Sequence, residues 1–170
     1  MGDPSDIHTM DQLVAHLCRA DQDRLGLVLT EMQLPSEALL RRAQWNSRRY
    51  TRTCLHRTES FELLLICYEE GQATSIHDYY GEKAWIRPLI GRLLEERFEK
   101  GSDPGLELVR SSILLPGMTS HVGSENSIHR FSNAERGRTV SLNLYARPLR
   151  RWRVYDQGGG SGSLLPVGHR

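Results

Sequence analysis

Two stretches of this chain hold residues able to act on one chemical group: Gly71-Gln-Ala-Thr-Ser-Ile-His77-Asp78-Tyr79 and His129-Arg130-Phe131-Ser132-Asn133. A neutral imidazole is a good donor to a transition metal, and two of them leave coordination positions open for other ligands. Side chains two residues apart on a strand share a face, so His77 and Tyr79 project together while Asp78 points the opposite way. A lone histidine on a strand is more often structural than a ligand, so the weight rests on the pattern around each one. His8, His16, His56, His121 and His169 lack any metal-binding spacing.

Positioning such residues requires a rigid framework, and the hydropathy pattern supplies one. Thr9-x-x-Gln12 reads as a capping box, followed by Met10, Leu13, Val14 and Leu17 on one helical stripe. Leu25, Val28, Leu29 and Met32 repeat the spacing, and after Pro35 the hydroxyl of Ser36 is expected to cap a third helix. From Tyr50 onward, short apolar or alternating runs separated by Gly, Pro, Ser and Asn read as antiparallel strands. Phe61 to Tyr68 is one strand. Ala84 to Ile90 and Arg92 to Phe98 are expected to form a hairpin about Gly91, and Leu106 to Leu115 ends at Pro116-Gly117. In Thr139 to Tyr145, Val140, Leu142 and Leu144 share one face, and Ser141, Asn143 and Tyr145 form a polar face suited to a pocket. The arginines at 147, 150, 151 and 153 read as a solvated edge that discourages sheet pairing, and Cys67 as a core residue.

The glycine-to-histidine spacing from Gly71 to His77, the later Gly91 and the His129-x-x-x-Asn133 stretch resemble the two motifs of the cupin superfamily, with Tyr79 where the first motif has its second histidine. Tyr50-Thr51-Arg52, Phe61 to Tyr68, Ser75-Ile-His77-Asp78, Ile128-His129-Arg130 and Ser141-x-x-x-Tyr145 follow one another in the order seen in the cysteine dioxygenase family, over about residues 40 to 150. That resemblance implies a mainly β, double-stranded β-helix (jelly-roll) barrel with an N-terminal helical cap. The expected domain spans residues 1–156, with the cap at about 9–45, the barrel at about 46–156 and a flexible C-terminal tail at 157–170.

The resemblance further implies that His77 and His129 ligate one non-haem metal ion, with Fe(II) first and another transition metal as the alternative. Arg52 would grip the substrate carboxylate in a bidentate fork, Tyr50 would line the same pocket, and Tyr145 would place its phenol beside substrate and oxygen. The substrates implied are L-cysteine or a close small thiol, together with O2. This chain departs from the family at three positions: Tyr79 stands at the third metal ligand, Ala84 at the cysteine that crosslinks to tyrosine in some members, and Asn143 at the histidine that supports that tyrosine. Tyr79 either ligates the metal or fills the space that a histidine left. Three functions therefore compete: a thiol oxygenase, a diverged oxygenase with a product other than the sulfinate, and a non-catalytic small-molecule-binding cupin.

Composition narrows the field. With 22 lysines and arginines against 21 aspartates and glutamates, the formal charge of +1 gives no reason to expect nucleic acid or an anionic membrane as partner. Neither a basic, apolar leader nor a bilayer-length apolar run occurs, and Cys18, Cys54 and Cys67 lack disulfide or zinc spacing. A cytoplasmic protein with reduced thiols is expected.

Overall fold

The structure, a computed structural model, describes residues 3–101, 105–123, 127–156 and 162–166. It opens with α1 (Met10–Arg19), α2 (Leu25–Glu31) and α3 (Ser36–Leu40). The Thr9 side chain accepts from the Gln12 amide at 3.2 Å and Gln12 reaches back to the Thr9 amide at 3.0 Å, completing the box that starts α1. Ser36 is the first residue of α3 rather than its cap. Pro35 occupies the cap position and provides no side-chain bond, so the proline break itself starts that helix.

The barrel is two facing antiparallel sheets. One has the order β1 (Thr51–Arg57), β2 (Glu62–Tyr68), β9 (Thr139–Tyr145), β4 (Ala84–Ile90) and β7 (Ser120–Val122). The other runs β11 (Ser163–Pro166), β10 (Arg151–Tyr155), β3 (Ile76–Asp78), β8 (Ile128–Asn133), β5 (Leu93–Lys100) and β6 (Leu106–Leu114). β4 and β5 therefore do not form the expected hairpin: at Gly91 the chain leaves one sheet for the other. Gly91 has φ 73°, and a Cβ there would lie 2.3 Å from the Thr139 hydroxyl and 2.8 Å from the Arg138 carbonyl, so glycine alone fits this crossover.

Asn133 secures the same end of the barrel. Its amide donates to the Glu69 and Gly137 carbonyls at 3.0 and 2.6 Å, and its oxygen accepts from the Thr139 hydroxyl at 2.6 Å and the Glu135 amide at 2.8 Å. The asparagine of the second motif is thus a turn clasp.

The arginine-rich segment is not an edge either, since β10 lies between β3 and β11. Ser163–Pro166, within the stretch expected to be a loose tail, pairs with β10, while residues 157–161 and 167–170 of that stretch lie outside the described residues.

The five-stranded sheet is buried on both faces, and this decides where polar residues can sit. Leu63, Leu65 and Cys67 of β2 and Val140, Leu142 and Leu144 of β9 face outward into a cluster with Leu13 and Leu17 of α1 and Leu25, Val28 and Leu29 of α2. Arg87 of β4 ties this layer down by donating to the Leu29 and Thr30 carbonyls at the end of α2, each at 2.6 Å. The opposite face, with Leu64, Ile66, Tyr68 and Tyr145, meets Leu93, Leu114 and Phe131 of the second sheet. With the helices covering the apolar face of β9, its Ser141, Asn143 and Tyr145 line the barrel interior. Among the described residues no helix is long and apolar enough to cross a membrane.

Close approach of α2 to the sheet depends on Gly26. A Cβ built there would lie 2.2 Å from the Trp85 indole nitrogen and 2.7 Å from two further ring atoms. Alanine is favoured over glycine by about 1 kcal/mol in a helix interior, but forcing a methyl into a packed core costs about 1–3 kcal/mol. Gly26→Ala is expected to lower the urea unfolding midpoint. A raised midpoint would show that α2 is free to shift off Trp85.

Candidate metal centre

His77 and His129 are direct cross-strand partners, the only register pair between β3 and β8. Paired residues on antiparallel strands project to the same side, which brings the two ring centroids to 4.3 Å. Each ring is fixed by its own backbone: Nδ1 of His77 bonds the Ser75 carbonyl at 2.8 Å, and Nδ1 of His129 the Ser127 carbonyl at 2.6 Å. A carbonyl only accepts, so Nδ1 carries the proton and the lone pair of each ring is on Nε2. This is the hydrogen-bonding pattern that orients metal-binding histidines. Nε2 of His129 is buried with no hydrogen-bond partner, an atom that a metal ion would satisfy. The two imidazoles therefore fit a metal ion, although among the described residues no third His, Cys, Asp or Glu joins them.

Both rings are neutral at ordinary pH. Burial, with a smaller contribution from the Arg52 charge, lowers His77 from an ordinary 6.5 to about 4, against the raising effect of its Ser75 bond. Burial and then the neighbouring His77 hold His129 well below its ordinary value.

Tyr79 follows β3 on the His77 side and is 4% exposed. Its ring lies 5.1 Å from that of His77, 4.6 Å from His129 and 5.1 Å from Tyr145, the last almost perpendicular at 86°. Burial, the proximity of Tyr145 and a hydrogen bond with it all hold the Tyr79 phenol well above the usual tyrosine range, so it is a neutral phenol. Asp78 points away, as alternation requires, accepting from the Tyr155 hydroxyl at 2.6 Å. Tyr80 is largely exposed and contributes no donor to this cavity.

Arg52 of β1 also lines the cavity, with its guanidinium carbon 5.6 Å from the Trp152 ring centroid. Among the described residues it has no carboxylate partner, leaving its fork free for a ligand. Tyr50 stacks on Tyr68 at 5.5 Å, forming the wall beside Arg52. Tyr145 and Asn143 complete that side, with the Ser141 hydroxyl donating to Asn143 Oδ1 at 2.7 Å. Ala84 is the cross-strand partner of Tyr145, so the methyl group stands where the crosslinking cysteine of some relatives is expected.

Trp152 escaped the sequence reading. Its ring is 4.9 Å from His77, and it lies on β10, whose Val154 pairs with His77. The alternation Arg151-Trp152-Arg153-Val154 was the available signal, because it gives a strand one apolar face. Phe131, two residues beyond His129 on the same face, is a second missed lining residue.

A group whose folded-state pKa is depressed binds fewer protons in the folded than in the unfolded chain between the two values. For His77 this window runs from 6.5 down to about 4, and stability falls as pH falls through it. In metal-free protein, His77→Gln should therefore flatten the decline of the thermal midpoint between pH 6.5 and pH 4. Parallel curves for parent and variant would mean that the ring is charged in the fold.

A family model for cysteine dioxygenase type I matches residues 6–158. The cysteine dioxygenase type 1 of Danio rerio is 28% identical over 123 residues, covering 69% of this chain and 61% of that protein. Its Homo sapiens counterpart is 29% identical over 122 residues, with the same coverage of 69% and 61%. The chain thus spans about 61% of the length of these curated relatives. Among solved structures, a conserved protein with a double-stranded β-helix domain from Klebsiella pneumoniae superposes with a TM-score of 0.56 at 10% identity, over 67% of this chain and 85% of its own. A cupin superfamily protein from Desulfitobacterium hafniense gives 0.51 at 16% identity, over 69% and 92%. At such identities the likeness concerns the fold, which is the cupin double-stranded β-helix. With the family model running from the helical cap through β10, the chain belongs to the cysteine dioxygenase type I family of cupins.

Proposed function

We propose that the chain is a metal-dependent oxygenase that oxidises the thiol of L-cysteine or a close small thiol with O2. The observation that carries this reading is the pair of buried, neutral imidazoles, with Nε2 of His129 lacking any hydrogen-bond partner and His77 sharing its cavity with a guanidinium that has no carboxylate of its own among the described residues. His77 and His129 would hold the ion, with Fe(II) the first choice given the family. Bound iron supplies the activation of O2 towards the thiol sulfur. Arg52 would orient the substrate through its carboxylate, and the Tyr50 and Trp152 rings beside it would restrict water. Tyr145 presents its phenol to the same space as a hydrogen-bond donor. Tyr79 acts in this reading as a neutral wall at the place of the third ligand, its ring edge-on to that of Tyr145. Small thiols and O2 are then the partners. The free Cys18, Cys54 and Cys67 support a reducing compartment such as the cytoplasm.

A second reading rests on Tyr79, Ala84 and Asn143 together: an oxygenase of the same site whose product is not the sulfinate. Metal analysis of purified protein, followed by aerobic incubation with cysteine and mass spectrometry, separates the two. A gain of two oxygen atoms on cysteine supports the first reading, and a different oxidised product supports the second. Protein that retains no metal and leaves cysteine untouched would overturn both.

Removing a charge-assisted hydrogen-bond partner costs about 1.5–3 kcal/mol. Arg52→Ala is expected to weaken the use of cysteine by that amount in kcat/KM, while cysteamine, which lacks a carboxylate, is affected far less. Equal losses on both thiols would remove Arg52 from the substrate site.

Tyr79→His adds a third imidazole to the cavity without enlarging the side chain. It is expected to raise Fe(II) affinity, read by competition with a chelator, and to shift any unusual product towards the sulfinate. Unchanged affinity and product would make Tyr79 a bystander.

A further inference from the structure

The cavity beside His77 has a volume of about 10 Å³, the room of about one water molecule. A small thiol acid has several heavy atoms where this space admits one, so a lining side chain must move before such a ligand enters. Ile66, Tyr68, Phe131, Asn143 and Tyr145 are buried on paired strands and are fixed. Tyr79 also lines an outer cleft of about 500 Å³, together with Glu59, Glu82, Arg147, Arg150 and Arg151. Its ring packs against those of both histidines and of Tyr145, so this side of the cavity is held shut. The cleft is anchored as well: Leu149, among its arginines, is 1% exposed, and its amide donates to Oε2 of the buried Glu62 at 3.1 Å.

The residues of the cavity wall that are only partly buried are Tyr50, Arg52 and Trp152. Tyr50 is stacked on Tyr68, which is 1% exposed. Arg52, on β1 at the end of the first sheet, is the group that a carboxylate would seek. That leaves Trp152, on β10 of the second sheet. Its ring lies 4.9 Å from that of His77 and 5.6 Å from the Arg52 guanidinium carbon, and its indole N–H makes no hydrogen bond among the described residues. Its backbone pairs with Leu165 of β11, whereas the register of β10 with β3 begins one residue later, at Arg153. The indole thus bridges the two sheets over the cavity through ring contacts alone.

We propose that Trp152 is the gate of this site: its indole closes the empty cavity by resting on Arg52, and a carboxylate that takes the guanidinium releases it and opens room beside His77. The proposal rests on the oxygenase reading above for the identity of what enters, a small thiol acid. Exchange of partners favours opening, because a bidentate charge-assisted pair with a carboxylate is stronger than a cation–π contact. A gate and a wall differ in the sign of their effect on binding. Truncating a wall removes contacts and weakens binding, whereas truncating a gate removes the closed state that the ligand has to displace and strengthens it.

The test uses the full chain loaded with Fe(II) under argon, with S-methylcysteine as the carboxylate probe and 2-(methylthio)ethylamine as its counterpart without a carboxylate. By calorimetry, Trp152→Leu is expected to bind S-methylcysteine about 2- to 30-fold more tightly than the parent, the factor that loss of a cation–π contact releases. Trp152→Phe, which keeps a ring over Arg52, should gain less. A second readout needs no change in affinity: the Trp152 emission, taken as the difference between the parent and Trp152→Phe. S-methylcysteine should move it to longer wavelength as the indole enters water, and 2-(methylthio)ethylamine at the same concentration should leave it in place. Unchanged or weaker binding by Trp152→Leu, an emission that S-methylcysteine does not move, equal shifts with both probes, or no binding of S-methylcysteine would overturn the inference, even where cysteine itself is oxidised. Release of Trp152 by S-methylcysteine in protein that takes up no iron and leaves cysteine unoxidised would instead keep the gate and overturn the oxygenase reading.

Discussion

The centre of this protein depends on one register, His77 opposite His129. β3 is three residues long and gives β8 a single paired position, so its placement is set from both flanks: Val154 of β10 pairs with His77, and Arg97 of β5 pairs with His129. Because strand side chains alternate, a slip of one residue would turn an imidazole to the outer face, where Ile76 and Ile128 pack with Phe98 and Tyr155. Two short hydrogen bonds to carbonyls then fix the rings, and burial keeps them neutral. Alignment, tautomer and charge state thus follow from the backbone pairing before any ligand arrives.

The interior can hold polar groups because the five-stranded sheet is covered on its other face. β2 is apolar along almost its whole length because both its faces are buried. β9 divides the task, giving leucines and valine to the helical layer and Ser141, Asn143 and Tyr145 to the cavity. The helical cap is thus part of the site's support. Gly26 lets α2 approach Trp85, and Arg87 locks the end of that helix to β4.

Tyr79 stands where the family resemblance implies a third metal ligand. An imidazole there would offer a third lone pair beside His77 and His129. The phenol ring instead packs against both histidine rings and edge-on against Tyr145, and it lines both the inner cavity and the outer cleft. The cleft beyond it is fastened through Leu149 and Glu62 to the strand opposite Tyr145.

By itself the sequence determined what repeats locally. The helical stripes, the capping box at Thr9, most strands and the alternation that sets His77 beside Tyr79 and opposite to Asp78 all follow from short-range periodicity; motif spacing marked His77 and His129, and the family resemblance marked Arg52 and Tyr145. Tertiary structure decided what periodicity does not encode. Gly91 reads as a hairpin turn but is a crossover between sheets, because pairing partners are chosen by long-range packing. Asn133 reads as part of a site motif but clasps a turn, because its bonds go to residues on other loops and strands. The arginine-rich segment reads as a solvated edge, but its Arg151 and Arg153 lie on an inner strand that brings Trp152 to His77, because β11 covers its far side. The mixed-charge cleft had no signature in the sequence, since Glu59, Glu82 and the arginines meet only when the turn after β3, the stretch between β1 and β2, and the segment after β9 fold to one end of the barrel.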